Sequence, residues 1–158
     1  MLRYFEVTEM KPIPAEYAAS ADMVTGMLAT IDASAGEVKI ADGTAANVYF
    51  VNKERYASGI YASRVNYDDY FEQFVNIKAG EMVKLVPLFN GCLYGSDQHG
   101  FASVAEAEAA VKGKTLQASA GKLVAATEAS RLMCEGAVVD GEHVLLKVRV
   151  LDTPVANG

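Results

Sequence analysis

Residues 27–50, MLATIDASAGEVKIADGTAANVYF, constrain this chain more than any other stretch. Apolar runs are cut by two glycine turns, Ser34-Ala35-Gly36 and Asp42-Gly43. Val38 and Ile40 alternate with Glu37 and Lys39, a period of two that marks a half-buried strand and not a helix. Glycine supplies the positive φ that a tight hairpin needs. Residues 24–31, 37–40 and 48–51 are therefore expected to be three short strands, the last rich in β-branched and aromatic side chains.

A related cassette returns as TLQASAGKLVAAT at 115–127. Aligning Ser34-Ala35-Gly36 with Ser119-Ala120-Gly121 brings Thr30 onto Thr115, Val38 onto Leu123 and Ala41 onto Ala126, an offset of 85 residues. Both copies spell strand, glycine turn, strand. They are either two related halves of one barrel or sandwich, or two hairpins that share small residues because any tight hairpin does; array-type repeats need three or more copies.

The rest of the chain adds more strands. Residues 76–81 read as a strand closed by a glycine turn, and 82–89 as a near-continuous apolar run. Pro87 inside that run argues for an edge position or a bulge. Asn90-Gly91 is a hairpin signal, with 92–94 as the return strand, and Asp140-Gly141 is another, before an alternating strand carrying Leu146, Val148 and Val150. One helix is expected, at about 104–112: Ser103 and Glu106 form a capping box, Val104, Ala107 and Val111 share a face, and Gly113 stands at the stop. The fold class is thus mainly β, a compact barrel or sandwich of short hairpins with one short helix. A single domain covers 23–152, and 153–158 is a tail expected to fray.

Two segments fall outside this pattern. Residues 1–22 read as an extended N-terminal arm, with a β-prone start and with Pro12 and Pro14 forbidding a helix. Such an arm packs on its own domain or reaches to a neighbour. Removing residues 1–14 is expected to weaken attachment while leaving the fold. Residues 53–76 form a Tyr-rich insertion, where Asn66 or Asp68 is placed to cap a short helical turn containing Glu72. Its aromatics serve an interface or fold back over the core. Tyr4, Phe5, Tyr61, Tyr70 and Phe71 are the candidate interface residues, because Tyr and Phe are enriched at interface cores and these fall where no core period runs.

Composition narrows the function. With 158 residues, 51% of them apolar, the chain can bury a core without metals or disulfides. A formal charge of −6 opposes nonspecific binding to nucleic acid. No window approaches a membrane span, and the first ten residues, with Arg3, Glu6 and Glu9, lack a signal-peptide core, so synthesis in the cytoplasm is expected. Cys92 and Cys134 are expected to be buried and reduced.

No catalytic, cofactor-binding or metal residue is assigned. His99 near Cys92 and Asp97 matches no zinc spacing. Cys134 lies in an apolar run, where a thiol paired with His143 would be inert. Asp68-Asp69 with Glu72 is the densest acidic cluster, suited to acid/base work or to a solvated face. The motifs of nucleotide-binding loops, nucleophile elbows and zinc proteases are missing.

The runs Thr25-Gly26-Met27-Leu28-Ala29-Thr30-Ile31-Asp32 and Gly121-Lys122-Leu123-Val124-Ala125-Ala126 resemble the small head-decoration proteins of tailed phages. Residues 77–85, IKAGEMVKL, are similar to strand openings of phage structural proteins. The resemblance covers about half of the chain. It implies a non-enzymatic virion protein without a cofactor, a cement subunit that bridges copies of the major capsid protein and of itself, often as a trimer and sometimes through an N-terminal arm. The chain is longer than the smallest members and adds the insertion and the helix. A tail-tube or other assembly subunit is the neighbouring reading. A small ligand-binding or enzymatic barrel using Tyr67 to Glu72 is the reading of another class.

Overall fold

The computed structural model describes residues 1–6, 13–44, 47–53 and 72–157, and the chain is mainly β, as the glycine-turn pattern requires. Among the described residues, eleven strands build two layers and two more form a small pair. The first is a closed barrel, in the order β2 (Ile13–Ala19), β5 (Glu37–Ile40), β4 (Leu28–Asp32), β6 (Tyr49–Asn52) and β8 (Met82–Pro87). Only the β2–β5 contact is parallel; the other pairings are antiparallel. The second layer is a six-stranded antiparallel sheet, in the order β1 (Leu2–Glu6), β9 (Leu93–Ser96), β13 (His143–Val155), β12 (Ser130–Asp140), β10 (Thr115–Ser119) and β11 (Lys122–Ala125). A small pair, β3 (Met23–Val24) with β7 (Asn76–Ile77), flanks the barrel.

The barrel wall is shared between two cores, which explains its composition. In β4, Leu28 faces the sheet while its neighbour Ala29 faces the barrel interior. Phe50 and Val51 divide in the same way in β6, and Val86 and Leu85 in β8. A strand covered on both faces has no solvent side, so it reads as a continuous apolar run. That accounts for Leu85 and Val86 at the centre of the run at 82–89, whose ends, Met82 and Phe89, are exposed. Pro87 is the last residue of β8, opposite Tyr49, where its missing N–H costs the ladder little.

The helix forms where expected. It is preceded by α1, a single turn at Glu72–Val75, and is numbered α2 (Val104–Val111). Ser103 Oγ accepts the Glu106 N–H at 3.2 Å. The Glu106 carboxylate reaches back one residue further than a standard capping box, to the Ala102 N–H at 2.8 Å. Ala107 and Val111 are buried against the sheet, and Gly113 ends the helix at φ +75°.

Several expectations require correction. Residues 24–31 are not one strand: Met23–Val24 pairs with β7, the chain breaks at Thr25-Gly26, and β4 begins at Leu28. The turn at Asn90-Gly91 does not close a hairpin, because β8 belongs to the barrel and β9 to the sheet, so this turn carries the chain between layers. The cassette at 27–50 lies in the barrel and the one at 115–127 in the sheet. Their turns differ: four residues separate Asp32 from Glu37, but only Ala120 and Gly121 separate Ser119 from Lys122. The second turn docks on the first cassette, with Gly121 O accepting from Leu28 N–H at 2.8 Å and Gly121 N–H donating to Ala41 O at 2.9 Å.

Of the two courses open to the N-terminal arm, packing on its own domain is the one its described residues take. Leu2–Glu6 is the edge strand of the sheet, registered on β9, and Met1 is 1% exposed. Ile13–Ala19 closes the barrel between β5 and β8, with Pro14 falling inside a break of register between Ile13 and Tyr17. The tail is likewise fixed. β13 runs to Val155, and the Asn157 side chain accepts from Thr115 N–H and Oγ1 and donates to the carbonyls of Thr115 and Ala126.

Candidate functional site

The outer face of the six-stranded sheet carries exposed apolar side chains. Strand alternation turns Tyr94, Val148 and Cys134 inward, in one registered row, toward the first core, with Tyr4 in register beside Tyr94 but 39% exposed at the sheet edge. Their neighbours turn outward. Phe5 lies across Gly95, close enough that a Cβ added there would sit 2.5 Å from its ring. Around it, Leu93, Ala137, Val138 and Lys147 line a shallow dish with Phe5 and Glu6. Phe5 is 42% exposed and Val138 36%.

Fixed charges frame this apolar centre. At one end, Arg149 holds Glu135 through two parallel bonds, Nε to Oε1 at 2.7 Å and Nη2 to Oε2 at 3.1 Å. Its Nη1 donates to Glu6 Oε2 at 2.6 Å and to Gly91 O at 2.7 Å. Three strands are thereby cross-linked by one guanidinium, whose planar fork suits bidentate pairing. The Arg149 bond holds the Glu135 carboxyl below its usual range, and the two carboxylates raise the Arg149 pKa further. At the other end, Arg3 Nε donates to Asp140 Oδ2 at 2.6 Å. The face thus has an apolar centre and a charged rim.

Of the sequence candidates, Tyr4 and Phe5 both lie on β1, and they divide. Phe5 reaches the outer dish, whereas Tyr4, 39% exposed, packs edge-on to Tyr94 at 6.0 Å and does not line it. Tyr61, Tyr70 and Phe71 lie outside the described residues, as do Asn66, Asp68 and Asp69. Val138, Leu93 and the charged frame were not picked from the sequence. Val138-Val139 at the end of a strand, followed by the Asp140-Gly141 turn, was the signal that had been available.

The chemical candidates do not assemble among the described residues. His99 is spent on the backbone: Nδ1 accepts the Phe101 N–H at 3.1 Å, which makes Nε2 the donor to Val144 O at 2.8 Å. Asp97 turns one oxygen to the Met1 nitrogen and to Gln98 and has His143 Nδ1 at 3.9 Å from the other, and Cys92 lies in the core. Cys134 pairs in register with Val148, while His143 sits at the hairpin tip opposite Asp140, so the two make no dyad. Both cysteines are free and buried. No group of three or more His, Cys, Asp or Glu side chains gathers among the described residues.

A second concavity opens where the layers diverge. Here β10 leaves β12 after Leu116 and bridges to the barrel side through Ala118 and Gly43. The resulting cleft holds about 330 Å³. Comparison with protein-family models, with curated proteins and with solved structures gives no match to this chain.

Proposed function

We propose that this chain is a non-enzymatic structural subunit that works by docking the outer face of its sheet against a protein lattice, in the manner of a capsid decoration protein. The observation that carries the reading is the dish of Phe5, Leu93 and Val138 between the Arg149 and Arg3 ion pairs. Half-exposed aromatic and β-branched side chains held in a cross-linked rim lose little conformational freedom on association, which favours binding. The partners that this reading names are the major capsid protein and further copies of this chain, in the virion.

The experiment is co-sedimentation with heads of the virus that encodes the chain, comparing the parent with a Phe5→Glu, Val138→Glu double variant. Both positions are exposed enough to accept a charge without filling the core, and thermal unfolding serves as the control for folding. Loss of occupancy with unchanged unfolding is expected. Full occupancy of heads by the variant would overturn the use of this face. Absence of the parent from heads, with rings or tubes of purified protein in electron micrographs, would replace the head reading by the tail reading.

A further inference from the structure

We propose that the cleft between barrel and sheet is a binding site for a small apolar molecule carrying one carboxylate. Its volume of about 330 Å³ lies at the lower end of the roughly 300–1,000 Å³ of small-molecule sites. Both layers supply apolar walls, Leu28 and Val48 from the barrel side and Leu116, Leu132 and Val150 from the sheet. A cleft of this make-up favours an aliphatic or aromatic body by removing its surface from water.

The polar end is set by Arg131, the one charged residue lining the cleft among the described residues. Its Nε donates to Leu151 O at 2.9 Å and its Nη2 to Asn90 Oδ1. Both acceptors are neutral. Arg3 and Arg149, the other described arginines, each hold a carboxylate. Arg131 pairs with none among the described residues, in a chain whose formal charge is −6. Its guanidinium is thus held in place by two bonds with its charge uncompensated and Nη1 still a donor, which suits a carboxylate. Gln117, also on the lining, has its Oε1 occupied by Thr127 N–H and Oγ1, so what its amide has left to offer is donor capacity. Arg131 and the Gln117 amide thus offer donors at one end of the cleft, and an acceptor anion is the ligand these two complement.

This inference does not depend on the docking reading, since the cleft and the outer dish share no lining residue. The test titrates the full chain with octanoate and with octanol, which share an apolar body and differ in charge, and follows methyl resonances by NMR. Saturable one-to-one binding of octanoate is expected, about tenfold or more tighter than octanol, with shifts centred on Val48, Leu116 and Val150. Arg131→Met should level the two ligands, and Arg131→Lys should keep the preference for octanoate, which separates lost charge from lost folding. Absence of saturation, equal affinity of the parent for both ligands, shifts centred elsewhere, or an undiminished preference in Arg131→Met would each overturn the proposal.

Discussion

Tyr94 shows how much a single side chain can join in this fold. Its ring meets Tyr4 of β1 at 6.0 Å and Phe50 of the barrel at 5.6 Å, and its hydroxyl donates to Pro87 O at 3.0 Å. Burial pushes its phenol pKa well above the usual range, and burial likewise raises that of the Cys134 thiol. The sign of the consequence is fixed by linkage. Both groups are acids that ionise more readily in the unfolded chain, so above their unfolded values of 9.0 and 10.0 the unfolded state binds fewer protons and stability falls. Their contribution is complete below pH 9 and declines as pH rises through 9 to 11. The melting temperature should therefore drop across that window. Cys134→Ala should flatten the first part of the decline and Tyr94→Phe the second, whereas the growing negative charge of the whole chain would act on all three proteins alike. A parental melting temperature that is level up to pH 11 would refute this account. Neither group announced itself in the sequence beyond being apolar in company. Cys134 was placed correctly in a buried run, but the partners of Tyr94 come from β1, β6 and β8, and no local spacing reports them.

At the scale of elements, what the sequence disclosed depended on separation along the chain. The β12–β13 hairpin closes through Asp140-Gly141, and α2 between Ser103 and Gly113, because the instructions for each lie within a few residues of the element. β1 finds β9 about ninety residues away, and no local turn or spacing reports that pairing. Asn90-Gly91 carried a hairpin signal and became a crossing between layers, since burial of the apolar strands on both faces outweighed local turn preference. The outer dish was legible only at Phe5 for the same reason: its other members converge from β9, β12 and β13. The C-terminal tail belongs here too. Terminal residues fray unless something ties them, and Asn157 does so with four hydrogen bonds to Thr115 and Ala126. Asn157→Ala leaves the part-buried donors and acceptors of Thr115 without these partners. A loss of about 1–3 kcal/mol is expected in urea unfolding. A change within about 0.5 kcal/mol, the range of ordinary surface substitutions, would mean that the tail is not held.

At the scale of the whole molecule, the two layers are one folding unit, because β4, β6 and β8 give one face to each core. The first nineteen residues reinforce this, with β1 in the sheet and β2 in the barrel. Met1 and Leu2 are 1% and 6% exposed. Burying two such side chains contributes about 3–6 kcal/mol, an upper estimate because the unfolded chain is itself partly collapsed. Domains of this size are stable by only about 5–15 kcal/mol. Deleting residues 1–6 removes that burial, the Leu2–Ser96 to Glu6–Leu93 ladder, and the Glu6 and Arg3 halves of two ion pairs. The shortened chain should lose most of its stability, and the barrel should fail with the sheet. Circular dichroism would follow the strands of both layers, and tyrosine fluorescence, summed over the eight tyrosines, would follow side-chain packing, Tyr94 against Phe50 at the contact between sheet and barrel included. In the parent chain the two signals should change together along a urea gradient, and in the deletion both should shift to lower denaturant by the same amount. A deletion that keeps the parental midpoint would return residues 1–6 to the role of a detachable arm, and separate transitions by the two probes would divide the molecule into independent halves.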